Sequence, residues 1–253
     1  MKFYTWCNNS NSNKIKRLLD SAKLQNIEIE IIGERRDVHE GGNYNGKNLW
    51  LYEKVCELDE NEIVVCTDSF DVIYLTNADE IKQKFLKMNT KIVYSAECLY
   101  NHQDSKFLEY YKKLGKGKHY KFLNSGALIG YAKNIKEKFE IILKYSQTEI
   151  EQSASYNQGR IGKYIAENSN KAKLDYDCEI FWTDINFCSK CPQKHSHPKW
   201  ISGAISTLQD KILVNGKMYN PITNSNPCVY HCPNSNKTNE IISTAWEYIK
   251  TTK

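Results

Sequence analysis

No uninterrupted apolar stretch in the 253-residue chain approaches the roughly 20 residues that a membrane-spanning helix needs, so a spanning segment is not expected. The N-terminus, Met1-Lys2-Phe3-Tyr4-Thr5-Trp6-Cys7, runs straight into Asn and Ser. A secretory signal would place an apolar stretch of about 7–15 residues there. The chain as it stands is therefore expected not to export itself, which makes the cytoplasm its default compartment. Internal repeats are missing, and no proline- or serine-rich linker divides the sequence. One domain over 1–253 is the expected organisation. Net charge is only +5, with Lys and Asp/Glu interleaved and no Arg-rich stripe, so no nucleic-acid groove is expected. The basic stretch Lys112-Lys113-Leu114-Gly115-Lys116-Gly117-Lys118 reads as a solvated loop. A true P-loop is also lacking. Gly41-Gly42-Asn43-Tyr44-Asn45-Gly46-Lys47 has the glycines and the lysine, but position 48 is Asn where Ser or Thr would be required.

Cysteine, by contrast, is plentiful, at nine residues. Cys7, Cys56, Cys66 and Cys98 sit in or beside apolar runs and are expected as small core residues. Cys188-x2-Cys191 and Cys228-x3-Cys232, with Cys178, His195 and His197 nearby, have spacings compatible with structural zinc. Disulfides or free thiols are the alternative.

Hydrophobic patterning predicts alternating strands and helices. Expected strands are Phe3–Cys7, Ile27–Ile32, Ile63–Cys66, Lys91–Ala96 and Ala127–Tyr131, followed by short ones at Cys178–Trp182, Ile212–Val214 and Cys228–His231. Expected helices are Lys14–Gln25, with Ile15, Leu18, Leu19 and Ala22 on one face, Lys47–Leu58, Asn77–Met88, Ile135–Tyr145 and Asn239–Thr251. This alternation implies an α/β fold with a mostly parallel sheet flanked by helices.

The chemistry concentrates at strand ends. Asp68 and Asp71 follow the buried-strand run Ile63-Val64-Val65-Cys66, at the carboxyl edge where open α/β sheets place ligands. Two carboxylates this close repel each other unless a cation lies between them, and hard oxygen ligands suit Mg²⁺ or Mn²⁺. Helix capping is the plainer alternative for an acidic pair. In Leu123-Asn124-Ser125-Gly126, the glycine permits close backbone approach before an apolar run. Val229-Tyr230-His231-Cys232 ends a strand in an imidazole, with Lys237 six residues on. Tyr94-Ser95-Ala96-Glu97 brings another carboxylate to a strand end.

In this order, Asp68-Ser69-Phe70-Asp71-Val72-Ile73, Ser95-Ala96-Glu97, Phe122-Leu123-Asn124-Ser125-Gly126 with Ile129-Gly130-Tyr131-Ala132, Cys178-Glu179-Ile180-Phe181, and His231 with Lys237 resemble the glycosyltransferase domain of procollagen lysyl hydroxylases. Collagen galactosyltransferases and related viral enzymes lie nearby. The resemblance covers nearly the whole chain and implies a GT-A (Rossmann-like) fold, an activated UDP-sugar donor and Mn²⁺. By it, about 1–130 is the nucleotide-sugar half and about 131–253 the acceptor-shaping half that returns His231. Asp68, Asp71 and His231 match metal ligands, and Lys237 matches a lysine near the donor phosphates. Gly46-Lys47 matches a segment before the second helix, while Thr5 and Trp6 lie where the family contacts the nucleoside. Phe70 stands where a tyrosine usually stacks on uracil, keeping the ring and losing the hydroxyl. Ser69 and Gly126 complete the donor set, and Asn124 and Glu97 are the candidate catalytic residues on the acceptor side.

Two departures bear on the acceptor. An acidic run before the family's Gln is replaced by Ser153-Ala154-Ser155-Tyr156-Asn157 before Gln158. A Trp after Ser-Ala-Glu gives way to Tyr100 and Asn101. The resemblance also leaves out a hydroxylase domain, so a free-standing transferase is expected. Its implied reaction is Mn²⁺-dependent transfer of glucose from UDP-glucose to galactosyl-hydroxylysine of a collagen-like protein, with the donor's α linkage retained. UDP-galactose transfer to hydroxylysine, or a non-catalytic UDP-sugar- or collagen-binding module, are the alternatives. A homodimer is compatible with any of these.

Overall fold

The computed structural model describes residues 1–37, 46–98, 100, 105–144, 156–184, 213–214, 217–233, 242–243, 245–247 and 249–251. Six strands form the main sheet in the order β2-β1-β3-β6-β5-β7. These are β1 (Lys2–Trp6), β2 (Glu30–Ile32), β3 (Ile63–Asp68), β5 (Ile92–Glu97), β6 (Phe122–Tyr131) and β7 (Ala172–Leu174). The pairs β1/β2, β1/β3 and β5/β7 are parallel, and β6 runs antiparallel between β3 and β5. A second sheet orders β4 (Val72–Tyr74), β11 (Val229–His231) and β8 (Phe181–Thr183) as β4-β11-β8. A short ribbon pairs β9 (Leu213–Val214) with β10 (Lys217–Met218).

Strand alternation divides the interior between the two faces of the main sheet. On β3, Val64 and Cys66 pack on one face while Ile63 and Val65 pack on the other. The first face is covered by α2 (Gly46–Cys56), α5 (Ala132–Ile142) and α6 (Tyr156–Glu167), through Trp50, Leu51, Ile135, Phe139 and Ile161. The second is covered by α1 (Lys16–Leu24) and α3 (Ala78–Lys87), through Leu18, Ala22, Ile81 and Phe85. Each fully buried Val, Leu or Ile stabilises the fold by about 1.5–3 kcal/mol. Asn77 caps α3, its side chain accepting from the Glu80 amide at 3.0 Å. Among the described residues no helix is long and apolar enough to cross a membrane.

Three differences from the sequence expectation have physical causes. The strand expected from Ile27 begins at Glu30, because the Ile27 amide bonds the Ala22 carbonyl at 2.9 Å and closes the end of α1, with Asn26 at φ +57°. The strand expected at Cys178 begins at Phe181. Here the buried Asp175 carboxylate accepts the amides of Glu179, Ile180 and Phe181 at 3.0, 2.7 and 2.8 Å and folds this stretch into a turn. The expected Lys112–Lys118 loop is partly helical, since α4 (Ser105–Leu114) runs through Lys112 and Lys113.

Candidate active site

The strand registers bring the two halves of the chain to one edge. Trp6 and Asp68 are partners at the carboxyl ends of parallel β1 and β3. After Asp68 the chain bends through Ser69 and Phe70 and re-enters as β4, where Val72 pairs with His231. The Cys232 amide bonds the Asp71 carbonyl at 2.9 Å, which fixes this corner. His231 Nε2 thereby lies 3.5 Å from Asp71 Oδ1 and 3.8 Å from Asp68 Oδ2. One ligand atom from each of the three residues falls within 4.8 Å of the others, and among the described residues this is the one such group of His, Cys, Asp and Glu.

Two observations test whether a divalent cation suits this place. His231 is 1% exposed, and its Nε2 has no hydrogen-bond partner while facing two carboxylates. The nitrogen is held only by the long contacts to Asp71 and Asp68, at 3.5 and 3.8 Å, and a cation shared by the three groups would give it a short partner. Gly126 supplies the second observation. A Cβ there would run into His231 Cε1 and stand 2.7 Å from Asp68 Oδ2 and 2.9 Å from Asn124 Oδ1. The space over the Asp–His group therefore exists only because residue 126 has no side chain. Two carboxylates and an imidazole form a donor set suited to Mn²⁺ and its neighbours. The residues fit such an ion.

Gly126 reaches this point through an irregularity in β6. Tyr94 pairs with Leu128 while the adjacent Ser95 pairs with Asn124, so Ser125, Gly126 and Ala127 bulge from the β5 register. Sequence reading expected a loop-to-strand junction here; the segment is interior to a ten-residue strand. Asn124 spans the bulge, accepting the Gly126 amide at 2.9 Å and donating to Glu97 Oε2 at 2.9 Å. Glu97 is only 1% exposed. It lies behind Asn124, the residue expected with it on the acceptor side, and accepts from that side chain's amide. Gln158, at the start of α6, accepts from the Ser125 hydroxyl at 3.1 Å and donates to the Leu123 carbonyl at 2.7 Å.

A cleft of about 190 Å³ adjoins the Asp pair, lined by Trp6, Lys47, Trp50, Phe70, Asp68 and Asp71 among others. Phe70 is 36% exposed. Lys47 Nζ pairs with Asp68 Oδ1 and lies 5.5 Å from the Trp6 ring centre, while Trp6 Nε1 donates to the Lys47 carbonyl at 2.8 Å. Burial would lower the Lys47 ammonium, yet Asp68, with Asp71, holds it above its ordinary value. Burial likewise opposes the His231 imidazolium, and Asp71 and Asp68 outweigh it. Asp71 is depressed against burial by His231 and Lys47. Without a metal, the edge is thus charge-compensated by its own cations.

Thr5 lies outside the cleft lining; its side chain is fully buried and donates to the Thr67 carbonyl at 2.9 Å. Ser69 is buried at the bend. Trp50 is a cleft residue that the sequence reading missed, although its i, i+3 spacing from Lys47 on α2 was the available signal. Lys237, Asn101, Ser153, Ala154, Ser155, Cys188, Cys191, His195 and His197 lie outside the described residues. Cys178, Cys228 and Cys232 are buried free thiols.

The fold, a mostly parallel sheet flanked by helices with an Asp–His group at its carboxyl edge, is of the GT-A type. Mouse xyloside xylosyltransferase 1 superposes with a TM-score of 0.53 at 12% identity, covering 94% of this chain and 98% of that one. A glycosyltransferase involved in glycosylation of the major capsid of PBCV-1 does so with a TM-score of 0.53 at 8% identity, covering 96% and 98%. These likenesses concern the fold. The PLOD GT domain model matches residues 4–250, and the chain belongs to that family of glycosyltransferase domains. Human procollagen-lysine,2-oxoglutarate 5-dioxygenase 2 is 30% identical over 180 residues, 68% of this chain and 24% of that protein. Protein R699 of Acanthamoeba polyphaga mimivirus is 32% identical over 172 residues, 63% of this chain and 34% of that protein. The matched region is thus about a quarter to a third of these relatives' length.

Proposed function

We propose that this chain transfers glucose from UDP-glucose to galactosyl-hydroxylysine of a collagen-like acceptor, in a Mn²⁺-dependent reaction that retains the donor's α linkage. The observation that carries the metal-dependent reading is the orphaned His231 Nε2 facing Asp68 and Asp71 across the space that Gly126 leaves open. Asp68, Asp71 and His231 would hold the ion. When bound, a divalent ion supplies Lewis-acid stabilisation of the charge on departing UDP, worth several kcal/mol.

The chain's own residues divide the remaining work. Phe70, partly exposed at the cleft, offers its ring face to uracil. Lys47 brings a fixed positive charge to the edge where the diphosphate would lie, and Lys237 is proposed as a second one. Trp6 and Trp50 wall the cleft, displacing water and strengthening electrostatic contacts inside it. Asn124, held by Glu97, presents its amide beside the reacting edge and is the proposed acceptor-side residue. The proposed donor is supported by the family membership, and the proposed acceptor by that and by the procollagen-lysine names of the relatives.

A panel of UDP-sugars, assayed for Mn²⁺-dependent UDP release with and without a galactosyl-hydroxylysine peptide, tests this directly. UDP-glucose should be turned over fastest and be stimulated by the peptide. Preference for UDP-galactose with a hydroxylysine peptide would replace the glucose reading, and UDP release from no donor would sink the catalytic one.

A further inference from the structure

His231 has two ring nitrogens, and only Nε2 faces the carboxylates. Its Nδ1 lies 3.5 Å from Thr183 Oγ1, in a buried contact. Thr183 is the register partner of His231 across the parallel β8/β11 pair, so the contact is set by the sheet itself. The Thr183 hydroxyl also meets Ser95 Oγ, on β5 of the main sheet, in a buried hydrogen bond. All three side chains are essentially inaccessible, with Ser95 and Thr183 at 0% exposure.

We infer that Thr183 is a positioning residue which, backed by Ser95, fixes the His231 tautomer with Nδ1 protonated and the Nε2 lone pair aimed at the space between Asp68 and Asp71. The inference rests on the metal-site reading above for its consequence, though not for its geometry. A neutral imidazole carries one N–H and one lone pair, and a hydroxyl carries one donor and two acceptor sites. If Thr183 donates to Ser95 Oγ, its oxygen is left to accept from His231 Nδ1–H. That assigns the lone pair to Nε2, the atom that has no partner. Hydrogen bonding at one ring nitrogen commonly decides which nitrogen binds a metal, and losing such a partner typically costs about 10–100-fold in metal affinity. The same hydroxyl pair ties the small sheet to the main sheet, so it also fixes the ring's position relative to Asp68.

The test uses the full chain with ¹⁵N-labelled histidine, its His231 signals identified by their loss in His231→Asn. Long-range ¹H–¹⁵N spectra at alkaline pH, without metal, read the tautomer of the neutral ring. Wild type and Thr183→Ser should show the Nδ1–H form. Thr183→Val keeps the volume and removes the hydroxyl, and should shift the ring toward the Nε2–H form. Mn²⁺ titration followed by the free-ion EPR signal should then show an affinity loss of about 10–100-fold for Thr183→Val, with Thr183→Ser within a few-fold of wild type. An Nε2–H form in the wild type overturns the inference without any variant, so a misfolded Thr183→Val protein would not protect it. Wild-type tautomer and Mn²⁺ affinity in Thr183→Val would overturn it too. An Nδ1–H wild type that binds no Mn²⁺ would support the positioning role while removing the metal reading.

Discussion

Gly126 is the residue on which the site's openness turns. Its absent side chain leaves room beside His231 Cε1, Asp68 Oδ2 and Asn124 Oδ1. Gly126→Ala should therefore lower Mn²⁺ affinity by at least about tenfold, with an overpacking cost of about 1–3 kcal/mol in thermal unfolding. An alanine variant that binds Mn²⁺ like wild type would show that the space is not needed. Phe70 makes the complementary case, because it lines the cleft but contributes no metal-ligating atom. Phe70→Ala should weaken UDP binding by about 1–3 kcal/mol, the usual worth of stacking on a base, and leave Mn²⁺ affinity unchanged. Calorimetric titrations of each ligand separate these effects; equal losses for both would count against a stacking role. Asp68 and His231 were legible in the sequence because each closes an apolar strand, with Asp71 three residues beyond the first, and strand ends gather at one sheet edge. The burial of Glu97 behind Asn124 was not legible, since it follows from the β6 bulge, and no local pattern announces the bulge.

Among the elements, the turn from Asp175 to Phe181 shows how a carboxylate can shape backbone. Burial pushes Asp175 up to about 6, against the pull of the amides of Phe181, Ile180 and Glu179. Because this is above the ordinary value of 3.8, the protonated form is favoured by folding. Its contribution is complete below the unfolded pKa and is lost as pH rises through about 6. A shift of that size corresponds to about 3 kcal/mol. Asparagine mimics the neutral acid's volume but cannot accept on both sides of the group. Asp175→Asn should be less stable than wild type, with a gap in unfolding free energy that narrows between pH 5 and 7.5. A gap that widens instead would show the carboxylate held ionised by its three amides. The long periodic helices and the β-branched strands were readable from residue spacing alone. Short β4 and β7, with three residues each, carry too little pattern to stand out. Helix α6 does carry a readable pattern: Ile161, Tyr164 and Ile165 are buried at helical spacing. The sequence expectation left it out. Lys138 shows a limit of polarity as a guide, since it lies fully buried beside Ile135, Phe139 and Ile142 on α5, donating to Tyr94 Oη at 2.8 Å. Burial drops its ammonium well below the ordinary lysine value.

Across the whole molecule, the site is assembled from segments far apart in the chain. β3 ends in Asp68 and the bend before β4 carries Asp71, β6 brings Gly126, α2 brings Lys47, and β11 returns His231. Family membership over residues 4–250 is consistent with a fold needed nearly end to end to close one edge. The central claim is that this edge binds a nucleotide sugar through a divalent cation. Thermal unfolding of the full chain with UDP-glucose, with and without Mn²⁺, tests it most directly, alongside Asp71→Ala. At ligand near 100 Kd, binding should add about 2.7 kcal/mol of stability, in the presence of Mn²⁺ only, and Asp71→Ala should lose the gain. A UDP-glucose stabilisation undiminished by EDTA, or retained in Asp71→Ala, would contradict the account.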